Sequence, residues 1–364
     1  MTWAVMQVLH QGGGAGSVTS TLHLSLGLAR AGYRVRFVCP PDSEVEALAR
    51  AGGLEVYPVN LISRGRRANA ARLDALLQNH PVDLINSQSA RDRAALTWLG
   101  LTRRLRVPLV VTRRQMPRTF PLENWLVSRV ARRVVAVSPS VGEALIRRGT
   151  PRNKLVVIPN GLVAERVDRP VPDASVAEWR ERVQWDPARR TIGVVARLKD
   201  QHVVVRALEQ VRAPVRLVLA GVEPSTGLAA AAAKVPERHA VVCLPFIPDV
   251  RPLYNLLELV LLPSRSEGLS QALLEAMALG KPVVASDSTG NRDLITDRVD
   301  GRLVPPMVPS AWANAIEELL SNQGSARNLG QAARQTARVT YSLERTIQRT
   351  SDLYRSLLEE PGMQ

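Results

Sequence analysis

The sequence contains few cysteines, few aromatic residues and no long apolar run. Cys39 and Cys243 lie in different halves of the 364-residue chain, so neither a disulfide framework nor a metal site is expected. No apolar run approaches the roughly 18 residues that span a bilayer. The apolar residues 3–9 have no basic region before them, so they predict a first strand and not a secretion signal. These absences favour a cytosolic protein.

Lysine is also scarce, since only four of the 48 basic residues are lysines. The charge is unevenly distributed: residues 1–160 carry 23 Lys+Arg against 9 Asp+Glu, whereas residues 161–364 carry 25 against 24. A compositional preference for arginine is one explanation. The other is a basic face that attracts phosphates, anionic lipid headgroups or nucleic acid. We favour the second, because the excess is confined to one half.

Short β-branched runs alternate with helical patterns along the chain, and 45% of the residues are hydrophobic. The predicted strands of the first half are residues 4–10, 34–39, 54–57, 82–86, 107–111, 134–137 and 155–158. Those of the second half are residues 191–196, 215–220, 241–244, 259–262 and 282–285. This alternation predicts two α/β domains with parallel, doubly wound sheets. We place them at residues 1–165 and 166–340, followed by a C-terminal helix, residues 341–364, that packs back on the first domain.

A glycine-rich loop, residues 11–17, lies between the first strand and the first helix. Gly13 and Gly14 would let the backbone approach an anionic ligand at the helix start. A tight strand-to-helix turn is the alternative. A dinucleotide site would end its second strand with Asp or Glu, but that strand ends at Cys39 and Pro40. A nicotinamide enzyme is therefore disfavoured.

A second loop and helix, residues 263–282, follow a strand of buried type. Ser270 is a candidate N-cap, and Gly280 is a candidate C-terminal stop. The apolar face of this helix would consist of Leu273, Leu274 and Met277. Glu267 lies at the mouth of the helix, and Glu275 lies inside it. Glu275 is either a solvated residue of the outer face or a functional carboxylate in apolar surroundings, where an unpaired charge is costly.

The spacing of Glu267 and Glu275 in this frame resembles the signature of the retaining glycosyltransferases of family four, which have the GT-B fold. The resemblance covers nearly the whole chain. Residues 158–161 resemble the end of that family's first domain, residues 244–254 its base-proximal loop, and residues 290–293 its glycine-rich turn. The resemblance implies two Rossmann-like domains that face each other across a cleft, with the acceptor on the first and the nucleotide sugar on the second.

The resemblance also implies roles for individual residues. Glu275 would bind the ribose hydroxyls of the donor, Glu267 would contact the transferred sugar, and Arg197 with Lys199 would neutralise the leaving diphosphate. Two fixed cations and a helix N-terminus can stabilise that charge without a metal. The other residues assigned to donor binding are Gly268, Leu269, Ser270, Gln271, Ala272, Leu273, Phe246, Ile247, Gly13 and Gly14.

The sequence departs from the family pattern at two places. The loop after Arg197 is shortened, so His202 competes with Lys199 for the role of the family lysine. Arg114 occupies a position where the family often has a functional histidine. Arginine cannot act as a base at neutral pH, but it can bind an anionic group. We therefore keep Arg113, Arg114 and His10 as acceptor-side candidates.

The sequence thus predicts a metal-independent, retaining hexosyltransferase that needs no cofactor besides its nucleotide-sugar donor. Its acceptor would be a glycan or lipid-linked, anionic molecule, in polysaccharide or lipopolysaccharide biosynthesis at the inner face of the cytoplasmic membrane. Nucleic acid is not expected as a partner. A nucleotide-sugar epimerase is one alternative, although only five histidines are available as acid/base groups. A non-catalytic protein that binds anions or nucleic acid is another, although aromatic residues make up only 4%.

Overall fold

The computed structural model describes residues 2–13, 16–223, 226–247 and 249–359. The chain divides into two compact units. Unit 1 comprises Met1–Gly161 and Leu343–Gln364, and unit 2 comprises Leu162–Ser342. Each unit is built on a parallel sheet whose strands are connected by helices, so the predicted α/β class is confirmed.

Within the described residues, unit 1 contains a sheet of seven strands in the order β3-β2-β1-β4-β5-β6-β7. The strands are β1 (Ala4–Val8), β2 (Arg34–Cys39), β3 (Glu55–Pro58), β4 (Leu84–Ser87), β5 (Leu109–Arg113), β6 (Arg133–Ala136) and β7 (Leu155–Val157). The connecting helices are α1 (Gly16–Arg30), α2 (Glu44–Ala51), α3 (Arg66–Asn79), α4 (Ala90–Leu101), α5 (Pro121–Val130) and α6 (Pro139–Arg147). The strand order reverses between β1 and β4, which pair directly.

Unit 2 repeats this plan with the strand order β10-β9-β8-β11-β12-β13. Its strands are β8 (Arg190–Val195), β9 (Val215–Ala220), β10 (Ala240–Leu244), β11 (Leu259–Leu262), β12 (Val283–Ser286) and β13 (Arg302–Val304). Its helices are α7 (Ala164–Asp168), α8 (Asp173–Arg182), α9 (Gln201–Ala207), α10 (Thr226–Ala232), α11 (Arg251–Leu256), α12 (Gln271–Ala278), α13 (Asn291–Leu294), α14 (Pro309–Ser321) and α15 (Gln323–Thr340). The order reverses between β8 and β11.

The last helix, α16 (Leu343–Glu359), belongs to unit 1. The predicted break near residues 340–342 separates it from α15. The hydroxyl of Tyr354 accepts hydrogen bonds from Gln7 Nε2 at 2.9 Å and from Asn86 Nδ2 at 2.7 Å. Tyr33 donates to the carbonyl oxygen of Ser351 at 3.1 Å. This helix therefore completes the core of unit 1.

Apolar length is limited throughout the described ranges. No helix there is both long and apolar enough to cross a bilayer.

The interior strands of both sheets are buried along most of their length, as in β2 and β9, which is typical of parallel sheets covered on both faces.

Candidate functional site

The clearest grouping of charged residues lies at the switch point of unit 2. Strands β8 and β11 are neighbours in the sheet, and the connections that follow them run to α9 and α12. In open parallel sheets, ligands bind beyond the carboxyl ends of the strands where the strand order reverses. The loop after β8 carries Arg197 and Lys199, and the loop after β11 carries Glu267. The fold thus brings the three predicted catalytic residues to one edge of the sheet.

Lys199 and Glu267 form an ion pair between Nζ and Oε1. Their side chains are 31% and 12% exposed, so the carboxylate is largely withdrawn from water while the ammonium group remains accessible. Lys199, and not the competing His202, makes this contact. Arg197 is exposed and has no ion-pair partner among the residues that the structure describes. One unpaired cation and one carboxylate–ammonium pair therefore lie at the same edge.

Asp200 joins the two loops that carry these residues. Its carboxylate accepts hydrogen bonds from the backbone N–H of Arg265 at 3.1 Å and from Arg265 Nε at 3.1 Å. Gln201 Nε2 donates to the carbonyl oxygen of Arg197 at 2.7 Å. These bonds hold the two loops in one arrangement. Sequence reasoning did not single out Asp200, because an aspartate directly before a helix predicts an N-cap, whereas this carboxylate makes no cap hydrogen bond.

The glycine-rich turn before α13 packs against the loop that carries Glu267. Ser288 Oγ donates to the carbonyl oxygen of Ser264 at 2.7 Å. Gly290 has a φ of 55°, and a Cβ added there would lie 2.5 Å from the carbonyl oxygen of Glu267 and 2.7 Å from that of Gly268. Only glycine fits this close approach. The turn that the resemblance singled out therefore shapes the loop of Glu267.

Replacing Gly290 with alanine should lower the free energy of unfolding by about 2–4 kcal/mol, since the left-handed backbone and the close contact both disfavour a Cβ. Urea unfolding of the two proteins measures the difference. Gly227→Ala is a matched control: Gly227 lies in α10, and a Cβ there meets nothing within 4 Å. Because alanine favours a helix, the control should be neutral or slightly stabilising. Equal stability of the Gly290 variant and the wild type would contradict this reading.

The predicted start of α12 is confirmed. Ser270 is the N-cap, and its hydroxyl accepts a hydrogen bond from the backbone N–H of Leu273 at 3.3 Å. Residues 268–273 form the loop and first turn, where helix N–H groups have no partner inside the helix. Gln271 Nε2 is buried and has no hydrogen-bond partner among the described residues. A buried donor without a partner is costly, so this amide is available to a hydrogen-bond acceptor at the start of α12.

Glu275 is not a solvated residue of the outer helix face. Its side chain is only 16% exposed, and Oε1 lies 3.2 Å from Arg166 Nε. Burial raises the pKa of Glu275, Arg166 opposes this shift, and Asp249 adds to it. Asp249 is in turn paired with Arg251 at 2.6 Å. Sequence reasoning missed Arg166 and the Asp249–Arg251 pair, because their approach to Glu275 depends on tertiary packing.

Two predicted donor-binding residues, Phe246 and Ile247, lie in the loop after β10. Phe246 is 61% exposed, and Ile247 is half-buried. Strand β10 is separated from β8 by β9 in the sheet. The structure thus places both residues beside the carboxyl ends of the strands, and their assignment to the donor stays a prediction.

Unit 1 has its own polar cluster at the switch point between β1 and β4. His10 Nδ1 lies 2.5 Å from Ser89 Oγ and 3.3 Å from Asp92 Oδ1. The buried Asp92 also accepts hydrogen bonds from Ser87 Oγ at 2.7 Å and from the Gln88 N–H at 2.8 Å. Burial by itself would raise the pKa of Asp92, but the hydrogen bonds outweigh it, and the pKa is lowered. A charged carboxylate therefore orients the imidazole.

The two predicted acceptor-side arginines are largely enclosed. Arg113 donates to Asn124 Oδ1 at 3.1 Å and to Thr119 Oγ1 at 3.3 Å, and burial lowers its pKa to about 9. Arg114 donates through Nη1 to Gln88 Oε1, and burial lowers its pKa to about 10. Both guanidinium groups remain charged at neutral pH. Arg113 connects β5 to the start of α5, whereas Arg114 lies near the cluster of His10.

A small internal cavity lies beside Arg114. It measures about 10 Å³, and its lining comprises Leu24, Asn86, Thr112, Arg114, Val135, Ile158, Asn160, Thr346 and Thr350. This volume corresponds to roughly one water molecule. An anionic sugar or phosphate group that binds Arg114 therefore has to approach from outside this cavity.

The glycine-rich loop after β1 lies against the start of α2. A Cβ added at Gly12 would lie 2.9 Å from Ser43 Cβ, and one added at Gly13 would lie 2.8 Å from Glu44 Oε2. Gly14 lies outside the described residues. The close approach seen at Gly12 and Gly13 is therefore to residues at the start of α2, and the assignment of Gly13 and Gly14 to the donor stays a prediction.

Two sequence models of known families match this chain. The model described as Glycosyltransferase Family 4 matches residues 14–166, and the model described as Glycosyl transferases group 1 matches residues 189–322. Together they cover most of the chain. The chain belongs to glycosyltransferase family 4. The resemblance first seen around Glu267 and Glu275 is thereby confirmed at the level of the family.

Curated relatives are about 30% identical to this chain over the residues that align. It is 32% identical over 218 residues to D-inositol 3-phosphate glycosyltransferase of Xylanimonas cellulosilytica, covering 56% of this chain and 52% of the relative. It is 28% identical over 256 residues to O-antigen chain mannosyltransferase C of Escherichia coli, covering 69% and 67%. The match to the Xylanimonas protein thus spans only about half of that relative's length.

Solved structures show that this chain has the GT-B fold. Anabaena HepE, solved in complex with UDP-glucose, superposes with a TM-score of 0.83 at 20% identity, over 97% of this chain and 100% of HepE. The lipopolysaccharide outer core galactosyltransferase WaaB superposes with a TM-score of 0.71 at 17% identity, over 98% and 100%. At these identities the likeness concerns the fold alone.

Proposed function

We propose that this chain transfers a sugar from a nucleotide-sugar donor to a glycan or lipid-linked acceptor, with retention of configuration and without a metal. The observation that carries the proposal is the grouping of Arg197, Lys199 and Glu267 at the switch point of unit 2. The unpartnered buried donor of Gln271 and the enclosed carboxylate of Glu275 support it. The donor complex of HepE, which contains UDP-glucose, also supports a nucleotide sugar.

The proposed reaction breaks the bond between the anomeric carbon and the diphosphate oxygen and forms a bond from that carbon to an acceptor oxygen. The bonding electrons leave with the diphosphate, and the proton of the acceptor hydroxyl passes to a phosphate oxygen. Arg197, Lys199 and the N-terminus of α12 stabilise the charge of the leaving diphosphate. In this proposal they supply the positive charge that a metal ion supplies in other enzymes. Glu267 contacts the transferred sugar, and Glu275 binds the ribose.

We assign the acceptor to unit 1, where His10 and Arg114 offer an oriented imidazole and a fixed cation. An anionic acceptor would suit the excess of arginine in residues 1–160. The name of the Escherichia coli relative supports a role in polysaccharide or lipopolysaccharide biosynthesis. We propose that the acceptor is carried by a lipid and that the protein works at the inner face of the cytoplasmic membrane.

A thermal-shift panel tests the proposal. Nucleoside diphosphates and nucleotide sugars should raise the melting temperature, because a ligand that binds only the folded state stabilises it. Hydrolysis of the correct nucleotide sugar, measured without acceptor, should identify the donor and should be unaffected by EDTA. If RNA or DNA raises the melting temperature while no nucleotide does, the chain is a nucleic-acid-binding protein and the proposal is wrong.

A further inference from the structure

Three large apolar side chains are exposed together at the start of α5 in unit 1. Phe120 is 78% exposed, Leu122 is 66% exposed and Trp125 is 46% exposed. Leu122 and Trp125 are three residues apart and share one face of the helix. The opposite face packs inward through Asn124 and Val127, which are buried. This face of α5 thus presents apolar side chains to solvent while its other side is anchored.

Arginines surround these apolar side chains. The guanidinium carbon of Arg129 lies 5.3 Å from the ring centroid of Trp125. Arg148 donates to the carbonyl oxygen of Thr119 at 2.9 Å, directly before Phe120. Arg118 is exposed two residues before Phe120. In the described part of the chain, none of these three arginines pairs with a carboxylate, so their charge is free to meet an anionic surface.

The start of α5 is held firmly from the inside. The buried Arg113 donates to Asn124 and to Thr119, on either side of the helix start. Asn124 Nδ2 donates to the carbonyl oxygen of Arg148 at 3.0 Å, which ties α5 to the end of α6. The exposed side chains therefore lie on a helix whose start is fixed by hydrogen bonds. Their exposure does not result from a loop that lacks contacts.

We propose that the α5 surface, defined as Arg118, Phe120, Leu122, Trp125, Arg129 and Arg148, docks on an anionic lipid bilayer. Apolar side chains that are exposed as a group mark an interaction site. Aromatic and leucine side chains on one helix face, with arginines beside them, match the interface between headgroups and acyl chains. The leucine adds apolar area that can insert among acyl chains, which favours lipid as the partner.

The inference rests on the proposed function in one respect, because a lipid-linked acceptor would bring the enzyme to a membrane. It goes beyond a general basic surface, since it requires apolar insertion at α5. Charge alone would bind the headgroups and would be abolished by salt. Insertion of Phe120 and Leu122 would leave a salt-resistant part of the binding.

Sedimentation of the full chain with vesicles tests the proposal. The wild type should bind vesicles of phosphatidylcholine mixed equally with phosphatidylglycerol, and should bind pure phosphatidylcholine much less. The double variant Phe120→Ser, Leu122→Ser should bind the mixed vesicles at least about tenfold more weakly, because it lacks two apolar side chains that would insert into the bilayer. Leu48→Ser with Val299→Ser is the matched control, since Leu48 is 50% exposed and Val299 is 59% exposed elsewhere.

A second pair of variants tests the arginines of the α5 surface. Arg118→Gln with Arg129→Gln should weaken binding to the mixed vesicles about tenfold and should reduce its salt dependence. Arg206→Gln with Arg327→Gln is the control, because these two arginines are exposed on unit 2. The shift of tryptophan emission on binding should be reduced in Trp125→Phe, which isolates the contribution of Trp125.

Two results would overturn the proposal. One is vesicle binding by the Phe120, Leu122 variant that equals that of the wild type. The other is binding to single-stranded RNA without binding to either vesicle, which would assign the surface to nucleic acid. The nucleotide thermal shift is measured on the same proteins. If nucleotides raise the melting temperature of the wild type but no vesicles bind, only the docking surface is contradicted. If no nucleotide raises the melting temperature of the wild type, the proposed function is contradicted.

Discussion

Replacing Lys199 with alanine should lower kcat by about 100- to 1,000-fold while changing the KM for the donor much less. The reason is that a fixed cation acts on the charge that develops as the diphosphate leaves, and removing one such group typically has an effect of this size. In the structure Lys199 is paired with Glu267, so alanine also leaves that carboxylate without its partner. Steady-state kinetics with the donor identified by hydrolysis measure both constants.

Lys234 provides the matched control for this experiment. It is an exposed lysine of unit 2, and Lys234→Ala should leave kcat unchanged. Glu267→Gln should lower turnover more than it lowers donor affinity. In the double variant Lys199→Ala, Glu267→Gln, the losses of turnover caused by the two substitutions should not add, because residues in contact are coupled. Wild-type turnover in Lys199→Ala would remove Lys199 from the leaving-group site and would favour His202 as the alternative.

Replacing Glu275 with alanine should weaken the binding of nucleoside diphosphates by about 10- to 100-fold. Hydrogen bonds to a charged, enclosed acceptor contribute about 1.5–3 kcal/mol, and the Glu275 side chain is only 16% exposed. Titration calorimetry measures the affinity directly. Glu178→Ala is the control, since Glu178 is an exposed glutamate of the same unit, 57% exposed in its side chain. Unchanged affinity of the Glu275 variant would exclude this residue from the donor site.

Glu275 also makes the stability of unit 2 depend on pH. Because burial raises its pKa above the usual 4.5, the folded chain holds this proton more tightly than the unfolded chain does. Stability should therefore fall as the pH rises from about 4.5 through the raised pKa. Glu275→Gln should remove this slope, whereas Glu178→Gln should keep it. Urea unfolding across this pH range distinguishes the two; an unchanged slope in Glu275→Gln would assign it to another group.

Much of the fold was predictable from periodicity. The strand bounds of residues 34–39, 215–220 and 259–262 agree with β2, β9 and β11. β-branched runs bounded by turn residues carry this information locally. Strand β13, which has only three residues, was not predicted. Its place at the sheet edge depends on pairing with β12, which no local pattern encodes.

The candidate site was only partly predictable. The loop of Glu267 and the cap at Ser270 follow from residue types at fixed spacing. The brace from Asp200 to Arg265 spans the loops after β8 and β11, which lie together only because the strand order reverses there. The contact between Arg166 and Glu275 likewise joins α7 to α12. Sequence spacing carries no information on such pairs.

The exposed apolar side chains of α5 illustrate the same limit. Phe120, Leu122 and Trp125 are ordinary core-forming residues in the sequence, and only their exposure marks them as a surface. The basic character of residues 1–160 was visible from composition. Composition does not show which arginines are buried, such as Arg113, and which are exposed, such as Arg129.

Sequence alone was enough to predict the class of the two sheets, the helix at Ser270, the family and the two glutamates that suggest a donor site. These features follow from local periodicity and from the spacing of residues within one loop and one helix. The surroundings of those glutamates depend on tertiary packing, which places Lys199 beside Glu267, Arg166 beside Glu275, and Gly290 against the loop of Glu267. Such contacts follow from which strands are neighbours, and strand order is a global result of packing that no single segment specifies.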